Sequence, residues 1–373
     1  MVKTHKVMKI IEYIPQLGSG GGERFTVDLC NELSKHHEVI LCLSHSLEKY
    51  GFYKEEISPR VRVINFNKRN GFDWRLPFRV YKLIHKERPD VVHTHLMSIV
   101  YTALSAFLLR KPKYFHTVHN TAKVETDGRI GEKVRRFLFS KRLVTPVTIS
   151  EDTLRCFKEF YNIDAPLINN GRDIPADLIV TNEVKEEFEK YRRTPHTRVI
   201  VQLAHVGHQK RQDVMARIAD RLMKEGYDFT VLMIGEINER QMADNIKALN
   251  NPKIHLLGGK HNPLEYLKAA DAFALTSSFE GLPISLIEAM GIGLVPICTP
   301  VGGIVNLISD EVTGFLSSDI SEESYYTALK RYLDTPTEYL LKMKAEALKT
   351  YQPFTMTECA RNYEQIFSMK VKN

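Results

Sequence analysis

The fold is decided by the first strand, helix and strand of the chain, VMKIIEYIPQLGSGGGERFTVDLCNELSKHHEVILCL, residues 7–43. Apolar residues fill most of 7–14, recur at helical intervals through 25–33, and fill 39–43. Apolar runs this short are typical of buried strands, and the spacing between them is typical of an amphipathic helix. The stretch therefore predicts two strands joined through a helix.

The same alternation continues through the first half of the chain. Further strands are predicted at residues 61–66, 91–92, 114–118 and 147–149, with helices around 78–85 and 99–109. Strands that alternate with helices form a parallel sheet covered by helices on both faces. We therefore expect an α/β, doubly wound, Rossmann-like domain.

A polar stretch at residues 172–196 interrupts this pattern, which starts again at 199–203. Strands follow at 229–234, 254–257, 272–275 and 294–298, each with a helical stretch after it. A chain of 373 residues is too long for one hydrophobic core and suits two domains of roughly 150 to 200 residues. We therefore predict two Rossmann-like domains in tandem, connected by 172–196.

The composition is that of an ordinary globular protein, with 43% hydrophobic and 26% charged residues. No apolar run approaches the roughly 18 residues that a membrane-spanning helix needs, and residues 1–10 lack the apolar core of a signal peptide. The five cysteines are scattered and form no CxxC pair, as is typical of reduced core residues. We expect a cytoplasmic protein.

Basic charge is concentrated in the first half, where residues 1–150 contain 26 Lys and Arg against 14 Asp and Glu. Within it, 129–143 mixes basic and apolar residues at helical intervals. Such a helix lies either on an anionic membrane surface or against the core with a solvated basic face, and both interpretations stay open. No known nucleic-acid-binding module accompanies the charge, so no nucleic acid is expected. The candidate residues for a membrane or acceptor face are Arg129, Lys133, Arg135, Arg136, Lys141 and Arg142.

A glycine-rich loop, GSGGGE at residues 18–23, follows the first predicted strand and opens the first helix. Unpaired backbone N–H groups at a helix N-terminus attract phosphate, and glycines let a phosphate or a sugar approach the backbone. The spacing matches neither GxGxxG nor a Walker A sequence, which weakens nicotinamide and ATP-hydrolysis readings. The alternative is a flexible loop without a ligand.

The segment SSFEGLPISLIEAM, residues 277–290, carries two glutamates at a second predicted strand-to-helix junction. Glu280 precedes the helix, Glu288 lies within it, and Pro283 stands near its start. Two carboxylates beside a phosphate-binding helix N-terminus are unfavourable unless they hydrogen-bond sugar hydroxyls. Either glutamate alone would be read as an exposed helix residue, but the whole string favours a site.

Histidines at positions 93, 95, 116 and 119 raise the question of a metal site, because closely spaced imidazoles can ligate zinc. We expect the side chains of His93 and His95 to lie on opposite faces of their strand. The chain also contains no Asp-x-Asp pair that could hold a divalent metal on a diphosphate. No metal or other cofactor is therefore expected.

The segment 277–290 and the Gly302-Gly303 pair resemble the EGxPxxxxEAM…GG pattern of the retaining glycosyltransferases of family 4. Further pieces match in order along nearly the whole chain: the glycine loop with its glutamate at 21–23, DVVHTH at 90–95, TVH at 117–119, NGRD at 170–173, and Lys210. The resemblance implies the GT-B fold, in which two Rossmann-like domains face each other across a cleft. It implies an N-terminal acceptor-binding domain of residues 1–171, to which 354–373 crosses back, and a C-terminal nucleotide-sugar-binding domain of residues 172–353. Within the crossing segment, 354–369 is predicted to form a helix, because one buried apolar stripe recurs at three- and four-residue intervals, namely Met356, Cys359, Tyr363 and Ile366.

The resemblance also implies roles for individual residues. The glycines of the loop would lie against the donor pyrophosphate or the sugar, Lys210 would bind the diphosphate, and Glu288 would bind the ribose. The backbone after Glu280 would add N–H donors. The implied catalytic residues are His119, Glu280 and Lys210, and the implied donor-binding residues are Gly21, Gly22, His205, Lys210, Arg211, Gly281, Leu282, Pro283 and Glu288.

Two positions depart from the commoner family pattern. His205 stands where many members have an arginine, and a neutral histidine offers one hydrogen bond in place of a charged fork. Diphosphate stabilisation would then depend more on Lys210, with Arg211 as a substitute. Asn306 stands where a glutamate often follows the paired glycines, which we interpret as tolerated variation.

The function implied is transfer of a sugar, with retention, from a nucleotide donor such as a UDP-sugar to a hydroxyl of a glycan or lipid-linked acceptor in surface polysaccharide or lipopolysaccharide synthesis. The alternatives are a sugar-nucleotide 2-epimerase of GT-B fold and a catalytically silent binding subunit. The expected location is the cytoplasm or the inner face of the cell membrane.

Overall fold

The structure is a computed structural model that describes residues 6–69, 71, 73–123, 125 and 128–369. These residues form two compact units. Unit 1 extends to Gly171 and takes in the segment from Met356 onward, and unit 2 is Arg172–Thr355. Each unit is an α/β domain with one six-stranded parallel sheet and flanking helices, which confirms the predicted fold class.

The sheet of unit 1 is formed from β1 (Lys9–Ile14), β2 (Glu38–Leu43), β3 (Arg62–Asn65), β4 (Val91–His95), β5 (Lys113–Val118) and β6 (Thr145–Thr148). Their spatial order is β3-β2-β1-β4-β5-β6, and all pairs are parallel. The helices up to Gly171 are α1 (Gly21–Leu33), α2 (Leu47–Tyr50), α3 (Leu76–Glu87), α4 (Ser98–Leu108), α5 (Gly128–Ser140) and α6 (Glu151–Tyr161).

The sheet of unit 2 is formed from β7 (Arg198–Leu203), β8 (Phe229–Ile234), β9 (Ile254–Gly258), β10 (Ala272–Leu275), β11 (Val295–Cys298) and β12 (Phe315–Leu316). Their spatial order is β12-β11-β10-β7-β8-β9, again all parallel. The helices are α7 (Asn182–Tyr191), α8 (Gln212–Lys224), α9 (Arg240–Ala248), α10 (Pro263–Ala269), α11 (Ile284–Ile292), α12 (Ile304–Leu307), α13 (Glu322–Asp334) and α14 (Thr337–Tyr351).

The central strands are buried because helices cover both faces of each sheet. Strand β8, FTVLMI, is buried at every position, and β1, KIIEYI, at all but the first. Burial on both faces explains why parallel strands read as continuous apolar runs in the sequence. Glu12 is the exception in β1, since it places a fully buried carboxyl group among apolar neighbours.

In each sheet, successive strands are added first towards one edge and then towards the other edge. The two strands between which this change occurs define the switch point. In unit 1 this point lies between β1 and β4, and in unit 2 between β10 and β7. In open parallel sheets such a switch point opens a crevice at the carboxyl ends of the strands, where ligands bind. The loops after these four strands are therefore the first place to look for a site.

Two segments differ from their predicted form. The polar stretch 172–196 contains helix α7, which is held by its two buried apolar residues, Val184 and Phe188. The predicted C-terminal helix, 354–369, begins two residues later as α15 (Met356–Ser368), which packs on α1 within unit 1. Its buried stripe includes Phe367, whereas the predicted Ile366 is only partly buried.

No helix in the described part of the chain is both long enough and apolar enough to span a membrane.

Candidate active site

The switch point of unit 2 brings Lys210 and Glu280 together. Lys210 lies in the loop after β7, and its Nζ is 2.5 Å from Oε1 of Glu280, which lies in the loop after β10. Ser277 donates to the same oxygen at 2.5 Å. Both side chains of the ion pair are largely buried. The loop therefore holds an ammonium and a carboxylate in direct contact at the edge of the sheet.

Backbone contacts fix the two loops against each other. Gln209 accepts a hydrogen bond from the backbone N–H of Ser278 at 2.8 Å and donates its own side-chain amide to the carbonyl of Phe279 at 2.9 Å. Thr276 donates to the carbonyl of Lys210 at 2.8 Å. These bonds set the position of Lys210 relative to Glu280, independently of the ion pair.

Gly302 packs closely against the backbone of Glu280 in the loop before α11. Its φ is +56°, and a Cβ there would lie 2.0 Å from the carbonyl oxygen of Glu280. The neighbouring Gly303 donates its N–H to the carbonyl of Gly281 at 2.7 Å. Gly302 is thus required by its positive φ and by close backbone approach, whereas Gly303 contributes a backbone donor. Pro283, at the N-cap of α11, has no N–H, so the donors of this helix N-terminus are the first helical residues, Ile284 and Ser285.

Glu288 projects from α11 and pairs with Arg172. The Nε of Arg172 donates to Oε1 of Glu288 at 2.8 Å, and both side chains are about nine-tenths buried. Arg172 is the first residue of unit 2 and belongs to the NGRD motif. Its guanidinium fixes the orientation of the carboxylate for which the resemblance implies a contact with the ribose.

His205 is neutral at pH 7. Burial lowers its pKa, and the neighbouring positive charge of Lys210 lowers it further. His205 can therefore offer a hydrogen bond but no positive charge beside Lys210, as expected. Arg211 does not join the pair, because it donates to the carbonyl of Ile320. Lys210 is then the cation that the structure brings to Glu280, and the predicted substitution by Arg211 is not supported by its position.

The switch point of unit 1 carries a row of histidines. Oε2 of Glu12 on β1 accepts a hydrogen bond from Nε2 of His95 at 2.8 Å, and Nδ1 of His93 lies 2.9 Å from the same oxygen. His95 continues the row, since its Nδ1 lies 2.9 Å from Nε2 of His119, directly after β5. Gly22 in the first turn of α1 lies against His119, where a Cβ would be 3.6 Å from the ring.

This arrangement corrects the prediction that His93 and His95 point to opposite faces of β4. Residues two apart in a strand share a face, and a ring nitrogen of each histidine lies within 2.9 Å of the same carboxylate oxygen. Within the described residues, Glu12, His93 and His95 are also the group of side chains that could ligate a metal ion. All three are fully buried, and the remaining ring nitrogens of the two histidines hydrogen-bond Thr117 and His119, so the group is part of a hydrogen-bond network.

Two family models match the chain. Residues 19–174 match Glycosyltransferase Family 4, and residues 183–350 match Glycosyl transferases group 1. Between them they cover most of both units and every site residue described above except Glu12. The chain belongs to the family 4, group 1 glycosyltransferases.

Known proteins similar to this glycosyltransferase agree with the assignment. An Escherichia coli protein, UDP-Gal:alpha-D-GlcNAc-diphosphoundecaprenol alpha-1,3-galactosyltransferase, is 28% identical over 70% of this chain and 71% of its own. The crystal structure of a glycosyltransferase from Rickettsia africae ESF-5 has a TM-score of 0.82, 22% identity, and coverage of 99% of this chain and 100% of its own. Anabaena Alr3699/HepE in complex with UDP-glucose has a TM-score of 0.79, 16% identity, and coverage of 97% and 100%.

One residue of the predicted basic face is wrongly assigned. Arg135 is 2% exposed and donates to the carbonyl of Leu96, so it belongs to the interior of the glycosyltransferase. Arg136 is exposed but bonds Glu132 and lies over the rings of Phe160 and Tyr161. The remaining predicted residues are exposed, namely Arg129, Lys133, Lys141 and Arg142.

Three residues of the site were missed by the sequence analysis. Glu12 had a signal, because an ionisable residue stands inside an otherwise apolar strand. Arg172 was quoted within a motif, but nothing in the sequence indicated its partner 116 positions away. Tyr363 of α15 bonds Thr117, which bonds His93. Its helical spacing predicted burial and gave no indication of a polar contact.

Proposed function

We propose that this glycosyltransferase transfers a sugar from a UDP-sugar to a hydroxyl of a lipid-linked glycan, with retention of configuration and without a metal ion. That it is a glycosyltransferase of polysaccharide or lipid-linked glycan synthesis follows from its family and its named relatives.

The observation that carries the proposal is the contact between Lys210 and Glu280 at the switch point of unit 2. In the free protein the carboxylate neutralises the ammonium. When a nucleotide sugar binds, the ammonium is placed to take the charge of the diphosphate, and the carboxylate is placed to accept hydroxyls of the sugar. The N–H groups at the start of α11 add to the stabilisation of the same anion.

The chemistry then needs no side-chain nucleophile. The bond between the anomeric carbon and the diphosphate oxygen breaks, and negative charge grows on the leaving group while the sugar acquires oxocarbenium character. Stabilisation of the developing charge by Lys210 and the helix N-terminus lowers the barrier. The acceptor oxygen forms its bond to the anomeric carbon on the face that the diphosphate leaves, which gives retention, and an oxygen of the leaving phosphate takes the proton of the acceptor hydroxyl.

The proposed uridine nucleotide is supported by similar proteins. The E. coli relative is named for UDP-Gal, and the Anabaena protein was solved with UDP-glucose. Glu288, held by Arg172, is the group that would accept the ribose hydroxyls. Metal independence is supported by the sequence, which has no Asp-x-Asp pair and offers Lys210 as the cation for the diphosphate.

A membrane-linked acceptor is supported by helix α5. Its outer face presents Arg129 and Lys133 with two exposed apolar side chains, Ile130 and Phe137. Phe137 contacts Phe107 of α4, which is itself exposed. Cations interleaved with exposed apolar groups are typical of helices that lie on anionic lipid surfaces. The E. coli relative is named for a diphosphoundecaprenol-linked acceptor.

The proposal is tested by incubating the protein with a panel of nucleotide sugars and following nucleotide release, with and without membrane lipid extracts as acceptor, in excess EDTA. We expect release from a UDP-sugar that increases with acceptor. Epimerisation of the donor without acceptor would favour the 2-epimerase alternative. Nucleotide binding without turnover of any donor would favour a silent subunit.

A further inference from the structure

A continuous row of hydrogen bonds leads from the buried interior of unit 1 to His119. It begins at the fully buried carboxyl group of Glu12 and passes through His95, which is also fully buried. It ends at His119, which is partly exposed and lies between Gly22 of α1 and the edge of the Phe25 ring. Burial of a carboxylate such as that of Glu12 in an apolar strand costs free energy unless hydrogen bonds compensate for the lost water. A buried group of this kind is therefore expected to have a function.

The protonation of Glu12 is fixed by its environment. Burial raises its pKa, but the attraction and hydrogen bonds of His93 and His95 outweigh this and lower the pKa to about 2. Glu12 is therefore a carboxylate at neutral pH and can only accept hydrogen bonds. Nε2 of His95 must then carry a proton.

The remaining tautomers follow from this first one. Burial and the neighbouring His93 lower the pKa of His95 to about 4, and burial with the neighbouring histidines lowers that of His119 well below its usual value. Both rings are neutral at pH 7. Since His95 uses Nε2 as its donor, its Nδ1 is an acceptor, and Nε2 of His119 must donate to it. Nδ1 of His119 is left as a lone pair.

We propose that Glu12 and His95 are positioning residues that hold His119 in its Nε2–H tautomer, so that Nδ1 accepts a hydrogen bond from a hydroxyl of the transferred sugar. The ligand class rests on the proposed function, transfer of a sugar from a nucleotide donor, and on the position of His119 against Gly22, which the resemblance to family 4 places against that donor. The tautomer itself does not depend on it. Glu12 thereby acts on the sugar through two imidazole rings, as an orienting carboxylate acts through one ring in other histidine sites.

The tautomer decides which sugars are accepted. A lone pair at Nδ1 requires a group that donates, such as a hydroxyl, and gives nothing to a fluorine or methoxy group at the same position. Accepting a hydrogen bond from the hydroxyl, whose proton stays on its oxygen, also increases the electron density of that oxygen, which favours positive charge at the anomeric carbon in the transition state. The opposite tautomer would carry its proton on Nδ1. That N–H could not accept a hydrogen bond from the hydroxyl and would not favour positive charge at the anomeric carbon.

The direct experiment is a long-range ¹H–¹⁵N NMR spectrum of the full chain labelled at histidine, at pH 7 and without donor. The chain has 14 histidines, and the His119 signals are identified by their loss in His119→Asn. We expect a protonated Nε2 and an unprotonated Nδ1. A protonated Nδ1, an imidazolium, or metal-shifted resonances with bound metal in elemental analysis would each overturn the proposal.

The variant that tests Glu12 is Glu12→Gln, because its amide can donate to His95 and so reverse the row. We expect the Nδ1–H form of His119 to appear in its spectrum. Glu364→Gln is the matched control, since Glu364 pairs with the buried His37 at 3.1 Å in the same unit and does not contact His119. It should keep the wild-type tautomer. An unchanged His119 tautomer in folded Glu12→Gln would overturn the role of Glu12. If this variant does not fold, the wild-type spectrum still shows whether His119 has the proposed Nε2–H tautomer.

Kinetics then test the effect on the sugar. With the donor found in the panel, the wild type should prefer the hydroxyl form over its deoxyfluoro analogues at one ring position. In Glu12→Gln we expect that preference, as a ratio of kcat/KM values, to fall by about tenfold, the equivalent of one hydrogen bond. An equal loss on every donor analogue would indicate a merely structural effect and would overturn the proposal. Failure of all donors would refute the proposed function and leave the NMR result standing.

Discussion

Replacement of Glu288 by alanine separates its role in the site from its role in the fold. The side chain accepts a hydrogen bond from Arg172 at 2.8 Å, and the two side chains are 7% and 11% exposed. The substitution therefore removes the carboxylate proposed to bind the ribose and also leaves a largely buried guanidinium without its carboxylate. Two effects of different kinds should result.

Both effects have magnitudes that can be estimated. Hydrogen bonds to a charged group contribute about 1.5 to 3 kcal/mol, so loss of the ribose contact should weaken UDP binding about 10- to 150-fold. Breaking a buried ion pair by removing one partner costs about 3 kcal/mol or more. For a domain of this size, a loss of about 3 kcal/mol lowers the melting temperature by about 6 to 12 °C.

Isothermal titration calorimetry with UDP and thermal unfolding monitored by circular dichroism measure the two effects separately. The matched control is Glu187→Ala, which removes a partly buried carboxylate of unit 2 that pairs with Lys260 and Tyr266. The control should lose stability and keep its UDP affinity. A folded Glu288→Ala protein that binds UDP like the wild type would refute the assignment of Glu288 to the site.

Four further predictions concern other parts of the protein. Transfer should persist in excess EDTA, and loss of transfer that magnesium or manganese restores would contradict the metal-free assignment. Replacement of Arg129 and Lys133 by glutamate should abolish sedimentation with anionic liposomes, which in the wild type should weaken with salt and be absent with neutral lipids; equal sedimentation of both proteins would favour the solvated-face interpretation. Truncation after Gln352 should lower the melting temperature of unit 1 because it removes α15 and its contacts with α1; an unchanged melting curve would show the segment to be dispensable. Finally, His95 has a folded pKa of about 4 against 6.5, so its neutral form contributes stability above about pH 6.5 that is lost as the pH falls towards 4; denaturation in urea across this range should show a smaller decrease in His95→Asn than in the wild type.

The fold could be predicted from the sequence because both sheets are parallel and covered on both faces. Strands such as β8 are buried at every position and therefore consist mostly of continuous apolar residues, which can be recognised in the sequence. The elements that were missed carry too few apolar residues to make a pattern. Strand β12 has two residues, and α7 is held by two buried side chains in a polar sequence.

The site could be predicted only as far as its motifs reach. Glu280 and Glu288 were indicated by the segment 277–290 at a strand-to-helix junction, where parallel sheets bind ligands, whereas Lys210 was indicated only by the resemblance to family 4. Their partners could not be found, since a contact such as that of Arg172 with Glu288 depends on how distant segments pack. The pairing of Glu12 with His95 across neighbouring strands is of the same kind.

Two errors had a signal that could have prevented them. His93 and His95 are two apart in a strand, and that spacing alone places them on one face. Arg135 lies three and four positions before Leu138 and Phe139, which form the buried stripe of α5. The helical period therefore places Arg135 on the core side of that helix, whatever its charge.

Lys210 is proposed to stabilise the leaving diphosphate at the switch point between β7 and β10. This role is tested most directly by the transfer rate of Lys210→Met at saturating donor, with Lys260→Met as the control for loss of a paired lysine of unit 2 elsewhere. Removal of one such group that acts on developing charge typically lowers kcat by about 10² to 10³. We predict a decrease of this size in Lys210→Met and an unchanged rate in the control. A folded Lys210→Met protein that transfers sugar at the wild-type rate would contradict the account.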